Sequence, residues 1–280
     1  MEDSYLRSIE HWRAQRIARL TAPDGWLSLT GLHWLEPGPN RLGSAADNAI
    51  VLAKAPAHLG VIEWRADDTL VLQLADERDA RVDGEAKSQA TLRDDREPDP
   101  TRVSFGSVNF TVIDRGGRKA LRVRDSEAQT RTQFAGIKAF PVDPSWRIVA
   151  DWISFDPPQT LETANVIGQM EHYPVPGKAV FEREGRMHEL LPVIEAPGDT
   201  RLFLIFADGT SGRETYGAAR SLYADPPRDG KIVLDFNKAY NPPCAFTAFA
   251  TCALAPPENR LDLRVTAGEK KYEEREERDG

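Results

Sequence analysis

The chain has 280 residues, 40% of them apolar, enough to bury about three quarters of the surface its unfolded form exposes, in one large domain or two smaller ones. Its formal net charge is −8 with acidic and basic residues interspersed, so no basic stripe is present to neutralise a phosphate backbone, and nucleic acid is not expected as a partner. No run approaches the roughly 18 to 20 apolar residues of a membrane span, and the start MEDSYLRSIEHWRAQR lacks the apolar core of a secretion signal, so a cytoplasmic protein is expected.

Ser4 is placed to cap a first helix, assigned to residues 1–24, in which Leu6, Ile9, Ile17 and Leu20 recur at near-helical spacing until Pro23 and Gly25 end it. From Trp26 the texture changes to short apolar runs divided by Gly, Pro, Asn and Asp: AIVL, GVIEW, TLVLQL, RVSFG and NFTVI. That pattern predicts a mainly all-β chain. The two prolines of Ala139–Ser145, AFPVDPS, divide a first β domain (residues 25–140) from a second, antiparallel one (residues 141–270), a barrel or a sandwich. In the second, LFLIFA is apolar on both alternating faces, as a strand covered on both sides requires. AVFEREGRMHELL reads as a hairpin turning at Glu184 and Gly185. KIVLDF puts Ile232, Leu234 and Phe236 on one face, and RLDLRV does the same with Leu261, Leu263 and Val265. Residues 271–280 close the chain as a charged tail with little to bury.

NRLGSAADNAIVL, followed by APAHLGVIEW, TLVLQL, RVDGE and RVSFGSVNFTVI, resembles the forkhead-associated domain over roughly residues 25–115. The resemblance implies a β-sandwich. That family reads phosphothreonine through an arginine after the first glycine, a serine before the histidine motif and an asparagine in a later turn. Here Ser44 follows Gly43, Pro56 and Ala57 precede His58, and Asp83 precedes Gly84. An arginine fork supplies the strongest charge-assisted bonds to phosphate, whereas Asp83 repels it, so a retained scaffold is expected rather than phosphopeptide recognition. His58, alone between Ala57 and Leu59, is read as structural.

From Trp12 to Lys270 the chain also resembles a bacterial family known only as a domain of unknown function, on the motifs GLHWL, ETYGAAR, DFNKAYNPPCA and AGEK. The resemblance implies a shared fold and a shared site, without a reaction.

In GRETYGAAR an extended chain would put Glu214 and Tyr216 on one face, with Arg220 following. In DFN the apolar residues claim one face, so Asp235 and Asn237 project from the other, toward water or into a polar cavity. Pro242 and Pro243 make the next segment rigid and hold the amide of Asn241 in a fixed direction. The candidate site is therefore Glu214 and Asp235 as acid and base, with Tyr216, Arg220, Asn237 and Asn241 as ligand contacts and Arg220 anchoring an anionic group. It would bind or hydrolyse a small polar or anionic molecule. A structural network of the same residues is the competing reading, and a non-catalytic module recruiting a protein partner through the first domain is the alternative function. The five histidines show no metal-ligand spacing, so no metal site and no particular cofactor is assigned. Cys244 and Cys252 would stand about 26 Å apart on one extended strand, so a bridge between them needs a chain reversal. Cys244, followed by Ala245 and Phe246, is read as a buried core thiol.

Overall fold

The computed structural model describes residues 2–76 and 78–272. The predicted tail falls mostly on residues 273–280, outside the described ones. The protein is mainly β, with an N-terminal helix and several sheets, one of them curled as a half-barrel. Its described residues divide into two compact units. One is Arg19–Phe134, and the other combines the chain up to Ala18 with that from Ala135 onward. Among the described residues no helix is long and apolar enough to cross a membrane.

Arg19–Phe134 contains two five-stranded sheets. The first sets Leu29–Trp34, Arg118–Asp125, Val108–Arg115, Val103–Phe105 and Arg81–Val82 side by side. The second orders Ile50–Val51, Gly38–Gly43, Gly60–Trp64, Leu70–Leu74 and Gln89–Leu92. Both contribute to a single core, with Leu42, Ile62 and Leu72 from the second meeting Val103, Phe110 and Leu121 from the first. Strand alternation sorts these side chains inward, and a sandwich is the arrangement that buries both inner faces. The ring of His58 is 62% exposed and 3.9 Å from Asp47. Gly25 sits where a Cβ would stand 2.5 Å from the carbonyl oxygens of both Arg19 and Leu20, so the helix exit closes only over a residue without a side chain.

The helix α1 spans Glu2–Leu20, so Ser4 lies inside it rather than at its cap. Ile9, Arg16 and Leu20 are buried, while Ile17 is 38% exposed. At 100° per residue Arg16 falls within about 20° of Ile9 and Ile17 about 80° away, so a helix facing inward through Ile9 must also turn a guanidinium inward. In the same unit Arg186–Leu190, Met170–Arg183, Arg147–Ala164 and Lys231–Asp235 form an antiparallel four-stranded sheet. Leu202–Phe206 pairs with Arg220–Ala224 as a second sheet. The hairpin turns at Glu184 (φ 53°) and Gly185 (φ 70°), the two left-handed positions of a two-residue turn. Leu204, Leu222, Ile232, Leu234 and Phe236 share a core with Leu261, Leu263 and Val265. These last three alternate in burial as the sequence predicts, but outside any regular strand. Their backbone is met instead by the Ala207 carbonyl, bonded to the Leu261 amide at 2.8 Å, and by the Asp208 carboxylate, bonded to the Val265 amide at 3.3 Å.

Candidate functional site: a buried polar network beside an arginine-lined cleft

The strand Lys231–Asp235 runs into a 3-10 turn, Phe236–Lys238, so the face opposite Phe236 is presented to whatever covers it. Helix α1 covers it. Tyr5 donates to Asp235 Oδ1 at 2.7 Å, and Asn237 Nδ2 donates to the Tyr5 hydroxyl at 3.0 Å and to the Asp143 carbonyl at 2.8 Å. The Asp143 amide completes the set by donating to Asn237 Oδ1 at 3.0 Å. Burial first, and then the adjoining Asp235 carboxylate, hold the Tyr5 phenol above its ordinary pKa. Asp235 and Asn237 are therefore largely closed off, because a tyrosine from the distant N-terminus takes that place, with Lys238 3.5 Å from Asp235 Oδ2.

The AGEK motif fixes the next stretch. Gly268 has φ +78°, and a Cβ there would lie 2.4 Å from the Ala239 carbonyl oxygen and 2.8 Å from that of Phe236, so only glycine lets the two backbones approach. Beyond it, Glu269 Oε2 accepts from the Asn241 amide at 2.7 Å, and Asn241 Nδ2 donates to the Lys270 carbonyl at 2.8 Å. Arg16 closes this circuit by donating to Glu269 Oε1 at 3.3 Å and to the Asn241 carbonyl at 2.7 Å, with its guanidinium 4.6 Å from the Tyr240 ring centroid. Burial pushes the Glu269 carboxyl up, against the lowering influence of Arg16 and the Asn241 amide. Asn241 Oδ1 is buried and without a partner.

Arg220, expected to anchor a ligand, is 1% exposed and committed inside the protein. It donates to Asp208 Oδ2 at 2.8 Å, to the Val265 carbonyl at 3.0 Å and to the Ala267 carbonyl. Asp208 Oδ1 in turn accepts from the Thr210 amide at 2.7 Å and the Thr210 hydroxyl at 2.6 Å. Desolvation lowers the Arg220 pKa, and Asp208 and Glu269 oppose that shift. Glu214 and Tyr216 do not share a face. The Thr210 carbonyl accepts from the amides of Arg213, Glu214 and Thr215, so the segment is wound into a turn where an extended chain was expected. Glu214 pairs with Arg264 at 2.5 Å on the outside, while the Tyr216 hydroxyl donates to the Cys244 carbonyl at 3.0 Å.

Cys244 is half-buried, and the chain does reverse after it. The Cys244 amide donates to Cys252 Sγ at 3.3 Å. A bond from the Cys252 thiol, outweighing desolvation and helped by the Tyr216 hydroxyl, lowers the Cys244 pKa to about 7.

A cleft of about 350 Å³ opens elsewhere in the same unit, lined by Arg183, Glu184, Arg186, His188, Asp262 and Arg264, among others. Strand alternation places Arg186 and His188 on the same face of Arg186–Leu190, and the hairpin turn brings Arg183 opposite Arg186. Arg183 is held with its guanidinium 4.2 Å from the Trp146 ring centroid and its donors on Ser145. Arg186 pairs with Asp262 at 2.9 Å. Each guanidinium has five N–H donors and uses only one or two in these bonds. His188 is 7% exposed, packs against Phe181 at 5.5 Å between centroids, and has a buried Nε2 with no partner. None of these residues belongs to the sequence-derived site. Their signal was present only as three arginines and a histidine at a hairpin tip and in a segment 76 residues from Arg186, measured to Asp262.

The fold and site thus define a mainly β protein with buried polar clusters and an arginine-rich opening. Residues 132–270 match the family model "Protein of unknown function (DUF1684)". The solution NMR structure of an uncharacterized protein from gene locus rrnAC0354 of Haloarcula marismortui is similar, with 31% identity over 51% of this chain and 80% of that one and a TM-score of 0.43. No curated protein matches.

Proposed function

We propose that the second β unit binds a small anionic molecule, a carboxylate or phosphate compound, in the cleft lined by Arg183, Arg186, His188 and Arg264. The observation that carries this reading is the partnerless buried Nε2 of His188 at a cleft whose three guanidinium groups retain unused donors. A buried polar atom left unsatisfied is unfavourable by about 1–3 kcal/mol, and an anion held by the arginines would supply the missing acceptor. The volume falls in the range of small-molecule sites. Of the six residues read from the sequence, Glu214 adjoins this opening through Arg264 and restrains that guanidinium until an anion competes for it. Arg220, Asp235, Asn237 and Asn241 are buried internal structure.

The test is calorimetric titration with inorganic phosphate and with citrate, on the wild type and on Arg186→Gln and Arg264→Gln. Saturable binding to the wild type, weakened at least tenfold in each variant and by raised salt, supports the reading. Equal affinity in all three proteins, or none in the wild type for either anion, refutes it.

A further inference from the structure

The thiols of Cys244 and Cys252 are a nucleophilic pair that the anion-binding reading leaves unused. They are eight residues apart, and both are half-buried, with solvent access. The backbone between them reverses after the 3-10 turn Pro243–Ala245, and the Cys244 amide reaches Cys252 Sγ at 3.3 Å. With an N–Cα bond of about 1.46 Å, that sulfur lies within about 4.8 Å of the Cys244 Cα, close to the separation that a disulfide imposes. Both ends of the loop are anchored. Cys252 is held by its carbonyl, which accepts from the Val166 amide at 2.9 Å, and by the neighbouring bridge between Asn165 and Ala253. Cys244 is held by Tyr216, whose hydroxyl donates to its carbonyl, and by the rigid Pro242–Pro243 pair before it.

We propose that Cys244 and Cys252 form a dithiol site that a small-molecule disulfide oxidises reversibly to an intramolecular bridge. The Cys244 thiolate attacks one sulfur of the small disulfide, forms a mixed disulfide and releases the first small thiolate. Cys252, losing its proton, then attacks the Cys244 sulfur, closes the bridge and releases the second. The two protein protons end on the two small thiols, and the two electrons given up by the cysteines reduce the disulfide. Cys244 is assigned as the attacking sulfur because the neighbouring Cys252 thiol favours its thiolate, with no cation involved.

Reduced full-length protein incubated with oxidised glutathione tests this, read by mass spectrometry of the tryptic peptide 239–260, which contains both cysteines and no internal cleavage site. The wild-type peptide should lose two hydrogens and resist iodoacetamide until reduced. Cys252→Ser should instead retain a glutathione adduct on Cys244, and Cys244→Ser should react more slowly at Cys252. Cys244 should be alkylated severalfold faster than Cys252 in the native protein at pH 7. A stable mixed disulfide in the wild type, or closure no faster in the native protein than in urea, overturns the proposal. Equal or faster alkylation of Cys252 overturns the assignment of Cys244 as the attacking sulfur.

Discussion

Removing the carboxylate of Asp208 should be among the most damaging single changes in the second unit. Its side chain is fully buried and faces an Arg220 side chain 1% exposed, at 2.8 Å. In Asp208→Ala the guanidinium keeps only the carbonyls of Val265 and Ala267, while the Thr210 amide and hydroxyl and the Val265 amide lose their acceptor. Breaking one side of such a pair destabilises by about 3–5 kcal/mol, a large share of the roughly 5–15 kcal/mol that stabilises an ordinary domain. Arg220→Met should be milder, because the remaining carboxylate retains three donors, and the double variant Asp208→Ala/Arg220→Met should be less destabilised than the sum of its two single variants by about 1–2 kcal/mol. Glu214→Gln is the control. Its pair with Arg264 is 36% and 57% exposed, and an exposed pair contributes below about 1 kcal/mol. Urea unfolding followed by circular dichroism gives each midpoint. If Asp208→Ala moves it no more than Glu214→Gln does, the assignment of Arg220 as an internal anchor is wrong.

Gly268→Ala should destabilise by about 1–3 kcal/mol, measured in the same way, since it combines a left-handed backbone with a Cβ pressed against the Ala239 carbonyl. Glu269 gives a pH-dependent outcome. Its folded-state pKa is raised, so the folded protein holds a proton that the unfolded chain releases. The stabilisation is full below the unfolded value of about 4.3 and is lost as pH rises through the folded one. Glu269→Gln cannot titrate, so the stability advantage of the wild type over this variant should shrink between pH 4 and pH 7; a constant or growing advantage contradicts the burial argument. Phosphate at saturating concentration should raise the wild-type melting temperature and leave that of Arg186→Gln/Arg264→Gln unmoved, by differential scanning fluorimetry.

Periodicity carried most of the fold. The alternation of Ile232, Leu234 and Phe236 placed them in the core, and Gly185 between two apolar runs announced a turn because glycine accepts a left-handed backbone freely. What covered the other face of that strand was not legible, since Tyr5 lies 230 residues from Asp235. The helix itself misled. Ile17 suggested an apolar stripe, while the phase set by Ile9 turns Arg16 inward, a signal available from helical geometry once Glu269 is known to await it. Glu214 and Tyr216 were paired by assuming an extended chain, and the Thr210 carbonyl, capturing three successive amides, winds that segment instead. Cys244 was read as core from its apolar neighbours, although Ala245 and Phe246 describe the chain after it and not the thiol that returns from Cys252. The cleft escaped because arginines at a hairpin tip look like solvated charge until a second segment closes over them.

The most direct measurement of the central claim is the histidine ring NMR spectrum of uniformly labelled protein during a phosphate titration, with the His188 signals assigned by their loss in His188→Asn. The anion-binding account predicts a saturable shift of the His188 Nε2 resonance in the wild type that Arg186→Gln and Arg264→Gln abolish. An unmoved His188 signal, or one that moves equally in the arginine variants, would contradict it.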